Sequence, residues 1–289
     1  MKKLKETAER LINISPDVST DTLLDLLWQY LLYSPKMPLR LLQALLLAKS
    51  ERYSLAMFDK HFTGRELTFQ AFKWGKGSRR ILLTHGWGSK AADSYDLVSA
   101  LTTLPDTEVI AFDVPGNGSS EGELANLFLF IQAVKNVICQ FGAPDILIGH
   151  SLGAMANIIA LKGIQVTPSL VVSITPLIRL KENFEASMDA VHIDKKIQEL
   201  WFDRFQQVFG VPASQINLNF FYDFNAKLKH LLFYDPSDKV APDEYLQEFL
   251  AQHLFIETRE YNNVGHERVL RSNEVIAEIM KEITAVLNL

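Results

Sequence analysis

The chain has 289 residues, 48% of them hydrophobic and 22% charged, with a net charge of −5 at neutral pH, a balance that suits one large α/β domain with room for an appendage. An acidic chain of this kind lacks the basic surface that nucleic-acid binding needs, so no nucleic-acid partner is expected. Its single cysteine, Cys139, excludes an intrachain disulfide and a cysteine-cluster metal site; lying in the apolar run 131–141, it is expected to be a buried thiol.

Residues 1–10 begin basic but meet Glu6, Glu9 and Arg10 before any apolar stretch, which is unlike a signal peptide. No run of about 18 uncharged apolar residues follows, so no transmembrane segment is expected and the cytoplasm is the expected location. Ser19, Thr20 and Asp21 offer an N-cap and an acidic first turn. Leu23, Leu24, Leu27, Trp28, Leu31 and Leu32 then recur at helical spacing up to Ser34-Pro35. A second helical pattern starts at Pro38 and takes in Leu41, Leu42, Leu45 and Leu46. This leucine-rich pair lacks the Lys/Arg-rich opposite face of an interfacial helix. Packing on the main domain is therefore expected, with a homodimer (through these helices or the later cap) or contact with a membrane surface as the competing uses.

From Glu66 the period changes. Leu67, Phe69 and Ala71 alternate as in a strand, and Ile81 to Leu83 is a short buried strand that runs into His85-Gly86-Trp87-Gly88. A helix over 94–104, a strand over 109–112, a turn-rich loop from Asp113 to Ser120 and a helix over 124–141 follow. Strands are expected at 146–148, 169–174, 230–234 and 254–260, with helices at 242–251 and from Asn273. Short apolar strands alternating with helices predict a mainly parallel sheet covered on both faces. The rhythm breaks between 177 and 228, a helical, aromatic-rich stretch. The expected organisation is an N-terminal helical extension (1–65), an α/β core (66–176 and 229–289) and a helical cap (177–228) over the carboxyl edge of the sheet, where ligands bind in such folds. The cap aromatics either line a pocket or form a small core of their own.

The chemistry centres on Gly149-His150-Ser151-Leu152-Gly153, set between the apolar run Ile146–Ile148 and a helix-like stretch from Ala154 to Leu161. Strand, Gly-x-Ser-x-Gly, helix is the context of a nucleophile elbow, in which a tight turn exposes the serine oxygen. Small residues at a strand–helix junction also simply allow close packing, so the partners matter. A serine hydroxyl needs a base, and the base needs an orienting acid. His266 follows a strand in the loop Asn262-Asn263-Val264-Gly265 and completes the order serine, acid, histidine. Two candidate acids, Asp235 and Asp238, lie after the preceding strand. Asp235 precedes a proline and is accounted for as a turn residue, so Asp238 is preferred. The Leu152 amide, at the start of a helix, offers one oxyanion donor, and the Trp87 amide a second. His85, His150 and Asp113 are read as structural. His61, His192, His230 and His253 share no metal-like spacing, and no dinucleotide or Walker-type loop is present.

These motifs, together with Asp113-Val114-Pro115-Gly116-Asn117-Gly118-Ser119-Ser120 and Asp238-Lys239-Val240-Ala241-Pro242, resemble the α/β-hydrolase superfamily, specifically bacterial serine hydrolases of the esterase/lipase-like group. The resemblance covers residues 66–289 and implies an α/β-hydrolase fold, Ser151 as nucleophile, His266 as base, Asp238 as acid, Trp87 and Leu152 as amide donors, and no cofactor. It implies hydrolysis of an ester-type bond in a small or medium acyl substrate. Thioester, amide or carbon–carbon bond hydrolysis on the same triad, and a non-catalytic ligand-binding role, are the alternatives. Asn117 departs from the histidine many relatives carry in the Gly-x-Gly loop.

Overall fold

The computed structural model describes residues 2–15 and 17–288. Three helices come first: α1 (Lys2–Ile12), α2 (Thr20–Leu32) and α3 (Leu41–Ala48). The sheet then builds from β1 (Glu51–Asp59), β2 (Arg65–Gly75), β3 (Arg79–Thr84), β4 (Thr107–Asp113), β5 (Ile146–His150) and β6 (Leu170–Ile174), with α4 (Tyr95–Leu101), α5 (Leu127–Phe141) and α6 (Leu152–Ile164) between them. After α7 (Leu180–Asp189), α8 (Lys195–Phe209) and the single turn α9 (Leu218–Phe221), the chain returns through β7 (His230–Tyr234), α10 (Asp243–Gln252), β8 (Glu257–Glu260) and α11 (Asn273–Leu287).

The eight strands form one sheet in the order β1-β2-β4-β3-β5-β6-β7-β8. β1, β2 and β4 pair antiparallel, and every pairing from β4 through β3 to β8 is parallel. All five residues of β5 are buried, as parallel strands covered on both faces require. Alternation sorts them: Leu147 joins the apolar cluster with α5 and α6, and Ile146 and Ile148 join the opposite one with α4 and α11. The loops after β3, β5, β6, β7 and β8 therefore meet at one carboxyl edge, where open α/β sheets bind ligands.

The stretch assigned to a helical extension contains a strand. β1 pairs with β2 along its whole length, from Glu51↔Lys73 to Asp59↔Arg65. Its Tyr53-Leu55-Met57 alternation is blurred by Ala56 and Phe58 on the exposed side, as befits an edge strand with one wet face. Cys139 is exposed rather than buried. α5 turns Phe130, Val134, Val137 and Ile138 inward, and residue 139 falls on the other side of the helix.

Helices α7 and α8 gather their aromatics into a core that α2 completes. Trp28 of α2 stacks on Phe209 at 5.7 Å and meets Trp201 at 5.6 Å, and Phe184, Phe205 and Phe209 close around them. Offset and edge contacts at these spacings add to the apolar burial itself. Trp201 is fully buried, so Trp201→Ala should cost about 3–5 kcal/mol, read as a lower urea unfolding midpoint; an unchanged midpoint would contradict this packing.

Candidate active site

Ser151 stands between β5 and α6 with φ 52° and ψ −121°. A non-glycine residue in this region costs about 1–3 kcal/mol and persists only where the surroundings fix it. Here Ser151 N–H donates to Ile174 O at 3.0 Å, and Leu177 N–H donates to Ser151 O at 3.3 Å. Two glycines make the turn sterically possible. A Cβ on Gly149 would lie 2.5 Å from Ala154 Cα, and one on Gly153 would lie 2.3 Å from His85 O. Any side chain at either position forces the strand, the helix and the loop after β3 apart.

Asp238 and His266 come together beside this turn. His266 Nδ1 lies 2.6 Å from Asp238 Oδ2, and their side chains are 14% and 2% exposed. Burial, the largest influence on the Asp238 carboxyl, opposes its ionisation. The hydrogen bond and charge of His266, with the Val240 and Ala241 amides, outweigh it and hold the carboxyl below its ordinary range. An ionised Asp238 only accepts, so Nδ1 carries a proton, and in the neutral ring Nε2 keeps the lone pair. Asp235 takes a different task. It accepts from Ser237 N–H at 2.9 Å and from Gly265 N–H at 2.7 Å, which ties the loop after β7 to the residue before His266.

His266 is anchored to the elbow by a contact that nothing in the sequence announces. His150 Nε2 lies 2.8 Å from the His266 carbonyl oxygen and donates to it, and the two rings are 4.9 Å apart. Burial, then the nearby His266, push the His150 imidazole down to about 3, so it stays neutral. Among the described residues, Ser151 Oγ makes no hydrogen bond to His266; such contacts are often long without substrate and close in the complex.

The loop after β3 is packed against the same turn. A Cβ on Gly86 would lie 3.1 Å from Ser151 Cβ, so the loop's backbone runs directly past the serine, with Trp87 next in the chain. Leu152 opens α6, where the first amides of a helix have no intrahelical partner. His85 holds the loop in shape. Its Nδ1 donates to Gly86 O at 2.7 Å and its Nε2 accepts from Val114 N–H at 3.1 Å. Only a neutral ring does both, and burial lowers its pKa accordingly. Asp113 joins the same two loops, accepting from Ala91 N–H at 2.8 Å and from Ser119 N–H at 2.7 Å. Asn117, the departure from the hydrolase pattern, is buried and accepts from Ser34 Oγ, so it fastens the segment between α2 and α3 rather than touching the serine.

A cavity of about 70 Å³ lies between α7 and the loop that follows Asp238. Leu177, Ile178, Val240, Ala241 and Pro242 give it apolar walls, and Arg179 on its side is already paired with Glu182 and Glu248. A larger open groove of about 830 Å³ lies between α1 and α2; Ser151, Asp238 and His266 line neither, but Leu177 of the small cavity donates its amide N–H to Ser151 O, and Lys239 and Val240 follow Asp238 in the chain. The aromatics of α7 and α8 line neither. Among the described residues, no cluster of three or more His, Cys, Asp or Glu side chains could hold a metal ion.

The two aspartates predict different phenotypes. Asp238→Asn should lower turnover by roughly 10⁴-fold with the fold intact, because an amide favours the wrong imidazole tautomer. Asp235→Asn should chiefly lower the unfolding midpoint, leaving turnover of the folded protein within about tenfold. Esterase assays beside thermal melts check both, and collapse of turnover in Asp235→Asn alone would reverse the assignment.

The model of the alpha/beta hydrolase family matches residues 81–279. No curated protein sequence matches the chain. Among solved structures, an esterase from Pyrococcus furiosus is similar at 17% identity and a TM-score of 0.60, covering 89% of this chain and 98% of that one. A putative lipase from Acinetobacter baumannii is similar at 16% identity and 0.58, over 96% and 99%. A thioesterase domain from the curacin biosynthetic pathway is similar at 15% identity and 0.56, over 82% and 99%. With a mainly parallel eight-stranded sheet covered by helices and a family match over most of its length, the chain belongs to the alpha/beta hydrolase family.

Proposed function

We propose that this hydrolase cleaves an ester-type bond of a small or medium acyl substrate through Ser151, His266 and Asp238. The observation that carries the reading is the Asp238–His266 hydrogen bond of 2.6 Å beside a serine held at φ 52°. A structural serine needs neither the strained turn nor a histidine with its Nε2 lone pair left over.

In this reading Ser151 Oγ attacks the carbonyl carbon while His266 Nε2 takes its proton. The tetrahedral oxyanion is held by the N–H groups of Trp87 and Leu152. Losing one such donor typically costs about 3 kcal/mol of transition-state stabilisation. The C–O bond to the alcohol breaks, and His266 returns the proton to the leaving oxygen. Water then attacks the acyl-enzyme with His266 as base again, releasing the acid and free Ser151. Asp238 stays ionised throughout and stabilises the imidazolium that forms.

The apolar cavity beside the Asp238 loop favours a short acyl chain. At about 70 Å³ it is well under the roughly 300 Å³ at which pockets for drug-sized ligands begin. Arg179 in its wall is paired with Glu182 and Glu248, and its apolar walls suit the hydrocarbon part of an acyl group.

Hydrolysis of nitrophenyl esters from acetyl to palmitoyl should show a short-chain optimum, and Ser151→Ala should lower it by up to about 10⁶-fold. Activity that survives the substitution would remove Ser151 from the chemistry, and a palmitoyl optimum would contradict the short-chain reading.

A further inference from the structure

α3 exposes the face that its leucine pattern led us to expect would be packed. Leu46 and Leu47 are buried against the cluster that holds α4. Leu41, Leu42 and Leu45 point outward at 75%, 54% and 51% exposure, and Leu39 just before the helix is 46% exposed. Scattered single apolar residues on a surface are ordinary, but a run of them on one short helix marks an interaction site.

The segment that carries this face is basic, although Glu51 follows it and Asp93 lies against α3 through Gln43. Residues 34–50 contain Lys36, Arg40 and Lys49 and no acid, in a chain whose net charge is −5. Lys36 is spent inward on the carbonyl of Ser120. Arg40 and Lys49 are exposed and stand at the two caps of α3, one on each side of the leucines. Long cationic side chains flanking an apolar face can reach up to anionic headgroups while the leucines enter the acyl boundary.

The patch is tied to the loop beside Ser151. Gln43, on the buried face of α3, donates to Asp93 Oδ1 at 2.9 Å, and Asp93 Oδ2 accepts from Ser89 Oγ at 2.9 Å. Upstream, Pro35 lies against Gly88, with its Cδ 3.6 Å from where a Cβ there would sit. The segment from Ser34 to α3 thus straps the loop that carries Gly86, Trp87 and Gly88 and presents its leucines on the outside.

We propose that the outward face of α3 docks on a lipid surface bearing anionic headgroups. Leu39, Leu41, Leu42 and Leu45 insert, and Arg40 and Lys49 pair with the headgroups. A second copy of the chain fits the charges less well: two-fold antiparallel pairing of α3 would set Arg40 of each copy against Lys49 of the other. Among the described residues no helix is long and apolar enough to cross a membrane, so attachment through α3 is peripheral. The inference does not depend on the bond that Ser151 cleaves.

Flotation of the full chain with phosphatidylcholine–phosphatidylglycerol vesicles tests this, beside vesicles of phosphatidylcholine alone. Wild type should float with the anionic vesicles, less at high salt and less with the neutral ones. Leu41→Ser/Leu42→Ser/Leu45→Ser should lower the bound fraction about tenfold or more, with an unchanged far-UV circular dichroism spectrum. Arg40→Glu/Lys49→Glu, which leaves the leucines in place, should abolish the preference for anionic vesicles. Failure of wild type to float, or equal flotation of the leucine variant, would overturn the proposal. So would light scattering that finds a wild-type dimer which the leucine substitutions turn into a monomer, because the face would then belong to a second copy.

Discussion

Everything at the carboxyl edge depends on the clearance around one strained residue. Ser151 holds φ 52° only because Gly149 and Gly153 let β5, α6 and the loop after β3 approach to distances no side chain permits. That approach sets the serine at the head of a helix and brings the Gly86–Trp87 backbone past it. The strain is local, of about 1–3 kcal/mol, and it is supported by hydrogen bonds to Ile174 and Leu177 from the neighbouring strand end. The fixed scaffold is the fully buried β5, whose alternate residues anchor in two apolar clusters on opposite faces of the sheet.

The histidine is brought to this turn from far along the chain by three separate ties. Asp238 orients its ring, Asp235 holds the Gly265 amide just before it, and His150 holds its backbone carbonyl. Each tie uses a group kept in one protonation state by its surroundings: the carboxylates are held ionised by amide and imidazole donors, and the His150 ring is held neutral by burial. On the other side, His85 and Asp113 fasten the loops after β3 and β4 to each other. The N-terminal segment adds a strap across these loops, and α2 supplies Trp28 to the aromatic core of the cap. The first helices therefore brace both the loops around Ser151 and the aromatic core of α7 and α8.

Legibility in the sequence followed the range of the interactions. The elbow was readable because a buried strand, Gly-x-Ser-x-Gly and a helix are contiguous and their steric reason is local. The parallel sheet was readable from strands too apolar to have a wet face. Two aspartates three residues apart in one loop could be ranked only by the proline after Asp235, since which carboxyl meets His266 depends on the paths of β7 and β8. The His150–His266 contact spans two distant loops and leaves no local signal. β1 was hidden because an edge strand needs only one apolar face. Cys139 and the outer leucines of α3 show that an apolar run says which residues favour burial, whereas the helix's own rotation decides which are buried.

The measurement that bears most directly on the central claim is labelling of the folded full chain with a fluorophosphonate, followed by mass spectrometry of the adduct. A strained serine at the carboxyl edge, backed by a neutral histidine with an Nε2 lone pair, predicts a single adduct on Ser151, lost in Ser151→Ala and strongly slowed in Asp238→Asn. No adduct on the folded protein, or an adduct on another residue, would contradict the account.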